Sequence, residues 1–179
     1  MKKLLFVFLA LGVTTGCIAQ APEWTVVNGK AQVQSVISVP GKDATQLYKQ
    51  VHRWLLATFK NPEEMVKARV EFEYVRGVGY STNIFQAGAL SHLDFRYAFV
   101  IEMKDERVRL TLSKGVILND NPQDINDSTP LEYYFNRLNK KKNDKHAREV
   151  ITAVNTMTGT LLESLENVLL SEYVSSDDW

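Results

Sequence analysis

Over 179 residues the chain carries 21 Lys and Arg against 21 Asp and Glu, and 45% of its side chains are hydrophobic. That length suits one domain with a sizeable core, and so even a balance gives no global field to draw it to nucleic acid or anionic lipid. The one cysteine, Cys17, lies in the N-terminal segment, which excludes a thiol nucleophile, a CxxC redox pair and a thiolate metal site from the folded part.

Lys2 and Lys3 precede an unbroken run of apolar and small residues, Leu4 to Val13. This is the anatomy of a secretory signal, and it is shorter than the ~20 apolar residues a spanning helix needs. The stretch TTGCIAQAPEW, Thr14 to Trp24, then offers two processing routes. Cys17 is a candidate for lipid attachment, although Thr14 stands three places before it, where an aliphatic residue is expected. Cleavage after Ala19 places the small residues Cys17 and Ala19 at the required positions and makes Gln20 the new N-terminus. A cut after Ala21 is disfavoured by Pro22, whose ring crowds the scissile bond. The pattern favours release at Gln20 over lipidation at Cys17. The expected location is the periplasm or cell envelope, with membrane attachment only if Cys17 is lipidated.

Residues 20–170 are expected to form a single domain, and 171–179 an acidic tail. Trp24 to Gln32 reads as a lead-in that pairs at a sheet edge. Val33 to Val39 is a strand stopped by Pro40-Gly41. Asp43 and Gln46 form a capping box for a helix whose apolar stripe is Leu47, Val51, Trp54, Leu55 and Phe59, and Asn61-Pro62 ends it. Val66 to Tyr74 alternates, with Val66, Ala68, Val70, Phe72 and Tyr74 facing the core. Arg76 to Gly79 reads as a turn into Tyr80–Gln86, and Ala87 to His92 as a small-residue loop.

Leu93, Phe95, Tyr97, Phe99, Ile101 and Met103 all point to one side of the next strand. A two-residue turn at Asp105-Glu106 leads into Arg107–Ile117. Its register pairs Met103 with Val108, Ile101 with Leu110 and Phe99 with Leu112 on the core face, and Glu102 with Arg109 on the other. A slip of one residue would undo both matches. Leu118 to Asn143 is polar, interrupted by a short helix at Thr129-Pro130-Leu131-Glu132, where threonine reads as N-cap and Glu132 as capping-box partner. From about Asp144 a long helix carries Val150, Val154, Leu161, Leu165, Val168 and Leu169, with Gly159 inside it as a close-packing or bending point. The expected class is α+β: a curved antiparallel sheet in β-α-β-β-β-β-α order with helices on one face.

The segments LYKQVHRWLLATF, VKARVEFEY and FVIEMKDERVRLTL resemble a family of exported bacterial proteins of unknown function with a TATA-binding-protein-like (TBP-like) fold. The resemblance covers roughly Val33 to Lys114. It departs at the hairpin turn, where the family often has glycine after aspartate and this chain has Glu106. It implies the fold, and it carries over no catalytic or binding residue.

Recognisable chemistry is absent from the sequence. His52, His92 and His146 form neither HxH nor HExxH spacing, so no metal site is expected. Asn119 to Asp127 gathers Asp120, Asp124 and Asp127, but a calcium-loop frame places Pro122, Ile125 and Leu131 at ligand or glycine positions. No GxSxG, SxxK, P-loop or GxGxxG occurs, and Glu71 and Glu73 are expected on a solvent face as poor general acids. No cofactor is expected. The outward face, read as carrying Lys67, Arg69, Arg96, Lys104, Arg107 and Arg109 against Glu71, Glu73, Asp94 and Glu102, does not suit DNA, which TBP binds through an apolar concave sheet. On that face Ala98 meets Ser113 and Val100 meets Thr111, a smooth patch rimmed by Arg96, Glu102 and Arg109. The patch is a candidate interface beside the plainer reading of an ordinary solvent-facing sheet. The sequence points to a non-catalytic envelope module binding a protein or small ligand, with an exported hydrolase of convergent active site as the alternative.

Overall fold

The computed structural model describes residues 22–86, 92–119 and 128–171. The segment read as a secretory signal, Cys17, Gln20, the segment 120–127 read for calcium, and residues 172–179 lie outside them.

The elements run β1 (Thr25–Val27), β2 (Lys30–Ser38), α1 (Ala44–Thr58), α2 (Pro62–Met65), β3 (Val66–Val70), β4 (Tyr74–Gln86), β5 (His92–Lys104), β6 (Arg107–Asn119), β7 (Ser128–Pro130), α3 (Leu131–Lys140) and α4 (Lys145–Leu170). The strands form one curved antiparallel sheet in the order β1-β2-β6-β5-β4-β3, with β7 pairing β6. The helices pack on one side of it.

Asp43 closes its capping box with Gln46 as expected, and the stripe Leu47, Val51, Trp54, Leu55 and Phe59 is buried. Trp54 donates its indole N–H to the Ser164 hydroxyl at 2.7 Å, tying α1 to α4. The ends of α4 are held by charge as well as by packing. Asp144 caps its N-terminus through the Ala147 amide at 3.0 Å. The Lys42 ammonium donates to the carbonyls of Leu169 and Ser171 at 2.6 and 2.7 Å, where the helix dipole favours a cation.

The β5–β6 hairpin has the expected register throughout, from Ala98↔Ser113 to Lys104↔Arg107. Glu106 adopts φ 60° at its tip, a conformation glycine takes more readily. What holds a glutamate there is visible: its carboxylate accepts from the Gly41 amide at 3.0 Å, and its backbone N–H donates to the Lys42 carbonyl at 2.8 Å. The tip is thereby braced against the Pro40–Ala44 segment.

Four expectations change. The strand at Val66 ends at Val70, and the turn lies at residues 71–73, with Phe72 at φ 65° and exposed. Residues 76–79 are not a turn but part of β4, where Gly77 and Gly79 face the core, and the Met65 carbonyl with the Phe99 ring at Gly77 and the Tyr97 ring at Gly79 fill the space a Cβ would take. Thr129 does not cap α3: Ser128–Pro130 is a strand, Thr129 pairs with Ile117, and the Glu132 carboxylate accepts from the Ala31 amide at 2.9 Å instead. Gly159 is not a close-packing point, since a Cβ there would meet nothing within 4 Å. Two smaller differences accompany these. Asn61-Pro62 ends α1 but opens the single turn α2, and His92 begins β5.

Candidate functional site on the open face of the sheet

Alternation along β2, β6, β5 and β4 sends every second side chain away from the helices, and the register aligns these into rows. One row is Gln32, Ser113, Ala98 and Val78; the next is Gln34, Thr111, Val100 and Arg76; the third is Val36, Arg109, Glu102 and Tyr74. The structure thus brings together the patch residues Ala98, Val100, Glu102, Arg109, Thr111 and Ser113 named from sequence, with Arg96 paired to Tyr80 and Val116 at one border.

Reasoning from sequence missed the outer strands' contributions. Val36 is 61% exposed, Tyr80 48% and Val78 36%. Val78 and Arg76 were hidden by taking residues 76–79 as a turn. The alternation Tyr74, Arg76, Val78, Tyr80 against Val75, Gly77 and Gly79 is the signal that reveals them, once glycine is allowed as a core-facing residue beneath aromatic rings.

Charge on this face is less evenly mixed than expected. Arg69 pairs with core-facing Val75 and, with Glu71, lines a cleft against Tyr48 and His52 of α1, so both leave the face. Lys67 sits in the β3 bulge, and Glu73 in the turn. The two acids that remain are engaged. Glu102 takes a bidentate bond from Arg109, Nε to Oε2 at 2.7 Å and Nη2 to Oε1 at 2.5 Å. Its pKa is lowered, chiefly by that hydrogen bond, with the Arg109 and Lys104 charges adding to it. Asp94 accepts from the Tyr80 hydroxyl and, at 2.8 Å, from the Asn83 amide. Arg76, Arg96, Lys104 and Arg107 take part in no ion pair among the described residues. The face is apolar at its centre and cationic around it.

Elsewhere the surface holds further clefts. One of about 470 Å³ between α1 and β3 is lined by His52, Leu55, Glu63 and Arg69 among others. Another of about 580 Å³ between α4 and β4 is lined by Ser81, Thr82, Ile84, Thr156, Met157 and Leu161, with no ionisable side chain on its walls among the described residues. His52 stacks on Tyr48 at 6.5 Å, and His146 lies against Phe85 and Tyr134, so the three histidines sit on separate elements. Among the described residues no three His, Cys, Asp or Glu side chains converge on a metal-sized site, and no helix is long and apolar enough to cross a membrane.

An antiparallel sheet with its helices on one side and an open opposite face is the TBP-like α+β architecture. Residues 34–116 match the family described as a domain of unknown function (DUF4468) with TBP-like fold. Among solved structures it is similar to a DUF4468 family protein from Bacteroides ovatus, at 14% identity and a TM-score of 0.69, covering 83% of this chain and 91% of that one. It is also similar to a TBP-like protein from Parabacteroides distasonis, at 11% identity and a TM-score of 0.68, covering 83% of this chain and 98% of that one. No curated protein matches.

Proposed function

We propose that this chain is a non-catalytic module exported to the cell envelope, where the open face of its sheet binds a partner protein. The observation that supports this most directly is the arrangement of Val36, Val78 and Val100 on three strands of one face, while both acids of that face are already bonded within the molecule. A protein surface with an apolar centre and an acidic border complements it, as in interfaces with a less polar core and charged rim. The face is broad and open, which suits a protein better than a small ligand, since small molecules take enclosed pockets. Nucleic acid is a poor fit for an exported chain of balanced charge.

Immobilised chain incubated with envelope extract tests the site. Wild type should retain a partner and Val100→Glu should lose it, because a carboxylate at the centre opposes an acidic border. A protein retained equally by both would contradict this use of the face.

A further inference from the structure

We propose that β2 is the dimerisation edge of the sheet, pairing antiparallel with β2 of a second copy about a two-fold axis at Val36. This rests on backbone geometry and goes beyond the reading of the open face.

β1 covers only the start of β2. Thr25, Val26 and Val27 pair with Gln32, Ala31 and Lys30, and then Trp24 leaves the sheet, its amide bonded to Asn155 at 3.0 Å and its indole to Thr158 at 2.8 Å in α4. From Val33 to Val39 no described strand lies outside β2.

Ladder alternation identifies the groups left open. In a two-residue hairpin the flanking pair exchanges hydrogen bonds. The turn at Asn28-Gly29 therefore directs the Lys30 and Gln32 backbone groups to β1. The turn at Asp105-Glu106 directs Arg107, Arg109 and Thr111 to β5, and so Val108, Leu110 and Leu112 to Val33, Ser35 and Ile37. By the same parity the amides and carbonyls of Gln34, Val36 and Ser38 face outward. Another extended backbone pairs with the whole of such a row at once.

The two edges of the sheet differ in how they treat this liability. β3 is short, bulged at Lys67 and carries Lys67 and Arg69, the usual means of repelling a further strand. β2 has no charge and no proline between Ala31 and Ser38.

A second copy fits the open stretch by symmetry. The run Val33–Val39 is bounded by β1 at Gln32 and by Pro40, and Val36 is its midpoint. Centred there, Val36 meets its twin, Gln34 meets Ser38, Ser35 meets Ile37 and Val33 meets Val39. No like charges come together, β-branched residues face each other at the centre, and the Pro40-Gly41 turn of one copy leaves the sheet where β1 of the other begins. The interface is isologous and closed.

The test uses the chain as the cell processes it, at low and at high micromolar concentration. Light scattering should give twice the chain mass at high concentration, and hydrogen exchange at Gln34, Val36 and Ser38 should slow as concentration rises. Val36→Lys, which sets like charges opposite each other at an exposed position, should return the mass of one chain with the circular dichroism spectrum unchanged. A monomer at all concentrations overturns the proposal, as does a dimer that survives Val36→Lys. Protection of these amides that does not follow concentration also overturns it, and would point to a strand from another protein.

Discussion

The indole N–H of Trp54 bonds the Ser164 hydroxyl at 2.7 Å, joining residues 110 positions apart in sequence. The same ring packs edge-on against Phe59 at 5.6 Å, and Phe59 stacks on Phe99 of β5. Trp54 therefore links α1 to both α4 and the sheet. Trp54→Ala should cost about 3–5 kcal/mol, the range for deleting a large buried aromatic. Trp54→Phe keeps most of the packing and should cost less, while leaving Ser164 without its donor. Chemical denaturation of both variants checks the order; equal losses would mean that the hydrogen bond, not the packing, carries the site.

Two glycines should respond in opposite directions. At Gly79 a Cβ would lie 2.3 Å from the Tyr97 ring, which is buried between strands and helices. Gly79→Ala should destabilise by about 1–3 kcal/mol, the cost of overpacking a filled core. At Gly159 a Cβ meets open space on a continuous helix. Gly159→Ala should stabilise by about 0.5–1 kcal/mol through the lost backbone freedom of the unfolded chain. Thermal midpoints decide both.

Acid sensitivity should track Asp144. Its pKa is lowered first by the Ala147 amide and then by Arg137, whose Nη2 lies 2.7 Å from Oδ2. The folded chain thus binds fewer protons at this group than the unfolded one. That contribution is whole above the ordinary carboxylate value of about 4 and is lost as pH falls through the lower folded value. Asp144→Asn should be less stable at neutral pH and should show a shallower decline in acid. A variant whose acid decline is as steep as wild type's would remove Asp144 as a contributor.

Processing is read at the N-terminus. The intact mass of chain recovered from cells should correspond to a start at Gln20, as cleavage after small residues predicts. A diacylglyceride increment on Cys17, or full-length chain in the cytoplasm, would contradict it.

Much of this molecule was legible in its sequence where two independent patterns coincide. The β5–β6 hairpin carries alternating core residues and a charge pair on the opposite face, and only one register satisfies both. Helix α1 combines a capping box with a full apolar stripe. The rest escaped because a local signal had a tertiary cause. Gly77 and Gly79 are small because neighbouring rings and, at Gly77, the Met65 carbonyl press on them, not because the chain turns, and Thr129-Pro130-Leu131-Glu132 has the letters of a capping box while β6 recruits Thr129 into the sheet. The centre of the open face followed from the hairpin alone. Its outer part needed the true course of β4 and the exposed position of Val36.

Site-specific photo-crosslinking in intact cells tests the central claim most directly. A photoreactive residue replaces Val100 on the open face or, as control, Glu163 on the exposed side of α4. The account predicts a discrete adduct with another protein from position 100 and none from position 163, with the position-100 adduct lost when Arg96 and Arg76 are both changed to glutamate. No adduct from position 100, or the same adducts from both positions, would contradict it.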